Sequence, residues 1–87
     1  MKTNFINLIN FPTQFTYKII GLSKPNLVDD IIKTIKLYCS DYYKIKIYHS
    51  RKGNYTSVNI TIIANDINQI ENIYNALGKI KMVRFVL

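Results

Sequence analysis

Two short stretches hold the residue types that could do chemistry. In the first, Ser50-Arg51-Lys52-Gly53-Asn54-Tyr55 with Ser57 just beyond, cations, hydroxyls and a phenol crowd around a glycine. Such a set could grip a phosphate or a nucleic-acid backbone, because charged donors bind anionic oxygens strongly. In the second, Gly21-Leu22-Ser23-Lys24-Pro25-Asn26, a glycine turn leads into a proline suited to the first position of a helix. The N–H groups of that helix start would favour an anion beside Ser23 and Lys24. Both patterns also occur as plain connectors, so the elements around them decide what they can do.

Catalysis finds little support. His49 is the only histidine, and it falls at an inward strand position with no readable partner for general-base work. Cys39 continues an apolar helical stripe and reads as a small core residue rather than a nucleophile. One cysteine excludes an internal disulfide and any thiolate-rich metal site. The 21–26 stretch lacks the paired cysteines of copper chaperones and the phosphate-cradling arginine of acylphosphatases. The chain reads as a non-enzyme with neither cofactor nor metal.

The elements that must position these residues are legible from periodicity. Residues 14–22, QFTYKIIGL, alternate as a strand with Phe15, Tyr17 and Ile19 on one face. From Pro25 to Cys39 the period lengthens, and Leu27, Val28, Ile31, Ile32 and Ile35 form the stripe of an amphipathic helix. Alternation returns with Tyr43, Ile45, Ile47 and His49 inward, and again with Val58, Ile60, Ile62 and Ala64 inward. Lys44, Lys46, Tyr48, Tyr55, Ser57 and Asn59 then face outward. Ile67, Ile70, Ile73 and Leu77 mark a second helix, with Asp66 and Gln69 at capping-box spacing and Gly78 just past its end. The closing IKMVRFVL is a last strand with Val83 and Phe85 inward.

Strand, helix, strand, strand, helix, strand is the order of an α+β ferredoxin-like sandwich, a four-stranded antiparallel sheet with two helices on one face. Residues 1–13 are expected to form an N-terminal arm and residues 14–87 a single domain. A two-residue turn at Gly53-Asn54 would pair Lys52 with Tyr55, placing Ile47 opposite Ile60 and His49 opposite Val58. Gly53 then supplies positive φ, and the hairpin itself needs neither Arg51 nor Lys52.

The 87 residues carry a net charge of +7 and are 48% hydrophobic, which suits one globular domain. No apolar run is long enough for a membrane span, and no signal-peptide pattern opens the chain, so a cytoplasmic protein is expected. The charge invites a nucleic-acid reading through Lys18, Lys44, Lys46, Tyr48, Tyr55 and Arg84 on the open sheet face. Lysines scattered along an isoleucine- and asparagine-rich chain nevertheless suit compositional drift. Lys44 and Lys46 also suit protection of an edge strand from sheet-to-sheet association. The third strand departs from the RNA-recognition motif, since Asn54 and Thr56 occupy its stacking positions.

FPTQFTYKIIG, SRKGNYTSVNITI and LGKIKMVRFVL, in a chain of this length, closely resemble the YbeD family of small bacterial proteins. The resemblance covers nearly the whole chain and implies a ferredoxin-like fold similar to the ACT-type regulatory domains of amino-acid metabolism, with no established activity. Ser50, Lys52, Gly53, Tyr55 and Ser57 match the family's hairpin pattern. Arg51 stands where a small serine is common and Thr56 where histidine can occur, so a contact through either side chain does not carry over.

The expected role is a non-catalytic regulatory module for a small effector or a protein partner. Its binding residues would be Gly21, Ser23, Lys24, Pro25, Asn26, Ser50, Arg51, Lys52, Gly53, Asn54, Tyr55 and Ser57. Nucleic-acid binding on the open face is the alternative. Pairing of edge strands would give a homodimer, against which the edge lysines argue.

Overall fold

In the computed structural model, residues 10–39 and 42–87 are described, with positions 42 and 43 in their backbone only. Most of the expected arm lies outside these residues. The chain runs β1 (Thr13–Leu22), α1 (Leu27–Tyr38), β2 (Tyr42–His49), β3 (Tyr55–Ala64), α2 (Ile67–Gly78) and β4 (Val83–Val86). The strands form one antiparallel sheet in the order β2-β3-β1-β4, so β1 and β3 are central and β2 and β4 are the edges. This is the ferredoxin-like arrangement expected from the sequence.

Most inward positions of the central strands are closed to solvent, while Phe15 near the start of β1 is half-buried. Tyr17, Ile19, Val58, Ile60, Ile62 and Ala64 meet Leu27, Ile31 and Ile35 of α1 and Ile70, Ile73 and Leu77 of α2. Each fully buried isoleucine or leucine contributes about 1.5–3 kcal/mol, so this layer carries the fold. The Tyr17 hydroxyl donates to the Ile70 carbonyl at 2.8 Å, which satisfies the one polar atom this large ring brings into the core. Burial, with a smaller push from Cys39, raises the Tyr17 phenol well above its ordinary range.

Local chemistry sets the helix ends. The Leu27 N–H donates to the Lys24 carbonyl, so Pro25 and Asn26 form a turn and α1 starts two residues later than the periodicity predicts. Asp29 and Asp30 in its first turn and Lys36 in its last complement the macrodipole. At α2 the Asp66 side chain accepts from the Gln69 N–H at 2.8 Å, as the capping spacing predicts. The Gln69 Oε1 accepts from the Asn65 N–H, and its Nε2 donates to the Tyr38 carbonyl, tying the start of α2 to the end of α1. Gly78 is the last residue of α2 rather than a left-handed residue beyond it; among the described residues only Gly53 has positive φ.

Two expectations of register need correction. The hairpin pairs Ile47 with Val58, Ile45 with Ile60 and His49 with Thr56, two residues away from the predicted offset. Ser50 is the cause. Its N–H donates to the Tyr55 carbonyl, its own carbonyl accepts from the Gly53 N–H, and its Oγ accepts from the Tyr55 N–H. These bonds close a four-residue loop, Arg51 to Asn54, in which Gly53 takes φ 76°. An even shift keeps each residue on its face, so the predicted inward and outward sets survive.

In β4 the change is odd. Ile20 pairs with Phe85 but Gly21 pairs with Val83, leaving Arg84 as a bulge. Val83 is therefore inward while Phe85, 60% exposed, faces out. The Arg84 guanidinium folds back onto the carbonyls of Lys81 and Val83, which takes it off the open sheet face where the sequence reading placed it.

Candidate functional site

The two stretches singled out in the sequence meet in space. The Ser23 N–H donates to the Asn54 carbonyl at 3.0 Å, fastening the β1–α1 loop to the hairpin tip. A depression of about 400 Å³ opens between them, lined by Leu22, Ser23, Lys24, Gly53, Asn54 and Tyr55. One ammonium, a hydroxyl, a phenol and loop backbone therefore surround a space the size of a small metabolite.

Beneath this junction lies a short polar chain. The Ser23 and Thr56 hydroxyls are 2.6 Å apart, and Thr56 Oγ1 lies 3.2 Å from His49 Nδ1. Thr56 is only 3% exposed and is the buried polar residue of the described core. A hydroxyl offers one donor and two acceptor positions, so Thr56 can serve both neighbours in either direction. Burial removes Thr56 as an attacking nucleophile, and it stands between the imidazole and Ser23. The arrangement orients groups; it does not assemble a nucleophile with a base.

The other predicted residues divide plainly. Ser50, Tyr55 and Ser57 line a second depression of about 420 Å³ on the helix-free face of the sheet, together with Lys18, Tyr48 and Asn59. Gly21, Pro25, Asn26, Arg51 and Lys52 line neither depression. Gly21 has a packing reason: an added Cβ would stand 2.7 Å from Leu27 Cδ1 and 2.9 Å from the Met82 carbonyl oxygen. Asn26 caps α1 without a side-chain hydrogen bond. Sequence reasoning missed Thr56, although carrying the inward set Val58, Ile60 and Ile62 back by one step reaches it. His49, expected inward and partly buried, is instead exposed, with its Nδ1 within hydrogen-bond distance of Thr56 Oγ1.

The fold defines a small α+β ferredoxin-like module, and comparison with known structures agrees. The ACT domain from GTP pyrophosphokinase of Chlorobium tepidum superposes with a TM-score of 0.71 at 19% identity, covering 86% of this chain and 97% of that one. A protein of H. pylori solved in solution gives a TM-score of 0.67 at 16% identity, covering 91% of this chain and 85% of that one. At these identities the likeness shows the fold alone.

A family described as "Protein of unknown function (DUF493)" matches residues 7–87, and the chain belongs to it. A UPF0250 protein of Erwinia tasmaniensis is 47% identical over the full length of both chains, and one of Buchnera aphidicola is 49% identical over the same span. This is the YbeD family that the sequence resembles. Among the described residues, no helix is long and apolar enough to cross a membrane.

Proposed function

We propose that the protein is a non-catalytic regulatory module whose effector is a small carboxylate, an amino acid among them, held where the β1–α1 loop meets the hairpin tip. The observation that carries this reading is the closure of Ser23 onto Asn54 around a depression containing Lys24 and Tyr55. The Lys24 ammonium would take the carboxylate, and the Ser23 and Tyr55 hydroxyls would orient the rest of the ligand. The Ser23–Thr56–His49 chain supports the reading by fixing the loop from below. The ACT domain of similar fold comes from an enzyme it accompanies, which suits a regulatory role here.

A thermal-shift screen against amino acids and small carboxylates tests the proposal. A ligand at a hundredfold its Kd adds about 2.7 kcal/mol of stability, which moves the midpoint of a domain this small by roughly ten degrees or more. Lys24→Ala should abolish that shift while leaving the unliganded melting temperature unchanged. Absence of stabilisation by every compound, or a shift that persists in Lys24→Ala, would overturn it.

A further inference from the structure

The sheet face away from the helices has a charge pattern that the effector site does not use. All described acidic side chains, Asp29, Asp30, Asp66 and Glu71, lie on the helices or at a helix start. The open face carries Lys18, Lys44 and Lys46 and no described acid. Edge protection accounts for Lys44 and Lys46 on β2, but Lys18 sits on β1, in the middle of the sheet. Its presence there needs another explanation.

Register places these lysines beside aromatic rings. One row across the sheet reads Tyr48, Ser57, Ile20 and Phe85; the next reads Lys46, Asn59, Lys18 and Leu87. Lys46 and Lys18 flank Asn59 about 10 Å apart, two strand spacings. Tyr48 and Tyr55 are 52% and 46% exposed. The depression lined by Lys18, Tyr48 and Tyr55 continues into one lined by Lys44, Lys46 and Thr61, with Tyr48 and Asn59 shared by both. The result is a groove with rings at the hairpin end and cations along the rest. In its floor, Ser57 Oγ and Asn59 Oδ1 are buried without a hydrogen-bond partner.

We propose that this groove binds single-stranded RNA. Bases stack on Tyr48 and Tyr55, phosphates meet Lys18, Lys44 and Lys46, and ribose 2′-hydroxyls, which both donate and accept, supply the partners that Ser57 and Asn59 lack. The groove and the effector depression share Tyr55, and the lysines of the groove, which the effector depression lacks, separate the two proposals.

The test is fluorescence anisotropy with a short labelled oligouridine at low salt, against the matching oligodeoxythymidine and an RNA duplex. Three phosphate contacts predict that log K falls with log salt with a slope of about −2. The triple variant Lys18→Gln, Lys44→Gln, Lys46→Gln should lose nearly all binding. A control triple on the helix layer, Lys33→Gln, Lys36→Gln, Lys79→Gln, changes the net charge equally and should retain it. Tyr48→Ala and Tyr55→Ala should each weaken binding by about tenfold. Thermal melts confirm that each variant is folded. No retention of oligouridine, equal losses in the two triples, or equal binding of the DNA or the duplex would each overturn the proposal.

Discussion

The two faces of the sheet obey opposite rules. On the helix side, most inward residues of the central strands are fully buried, and the buried Tyr17 phenol has its acceptor. On the other side, rings stand half exposed, the lysines have no described acid on their face, and two polar atoms lie buried without partners. Stability is thus concentrated in one face, leaving the other free to carry residues that the fold does not require. Substitutions on the two faces should therefore differ in size by several-fold.

Ile60→Ala should have the largest effect. It removes a fully buried side chain from a central strand, and about 2–5 kcal/mol of stability should go with it in chemical denaturation. Next comes Gly21→Ala, whose new methyl presses on both Leu27 and the Met82 carbonyl; a loss of about 1–3 kcal/mol is expected from such overpacking. Tyr17→Phe should cost about 1 kcal/mol at neutral pH through the lost bond to Ile70.

Tyr17→Phe also has a signature in pH. The folded phenol resists ionisation, whereas the unfolded one ionises near pH 10. Stability from this group is complete below pH 10 and declines as pH rises above it, because only the unfolded chain gives up the proton. The variant should show a shallower alkaline decline, and an unchanged slope would contradict the burial of this ring. The smallest effect belongs to the open face: Lys44→Gln should stay within about 0.5 kcal/mol of the parent. A large loss there would break the contrast between the faces.

The architecture was legible because alternation is a property of neighbouring residues. Even the hairpin error, two residues in offset, left Ile45 and Ile47 on the helix side, since parity survives an even shift. The misplacement of Phe85 shows the limit of that signal: a one-residue bulge leaves no mark in the pattern VRFVL. The candidate site was legible only in halves. Gly53 announces a turn and Pro25 the approach of a helix, but the bond between Ser23 and Asn54 joins residues whose meeting depends on the whole sheet. Thr56 was hidden differently, as a polar residue in a position otherwise filled by isoleucine and valine.

The bulge at Arg84 also makes the last strand tolerant of losing one residue. A deletion of that single residue would restore simple alternation from Val83 onward. The phenyl ring would stay in water opposite Ile20, and the valine after it would stay inward opposite Ile19. The C-terminal edge is therefore a place where one amino acid can be lost while the same side chains stay in the core and in water.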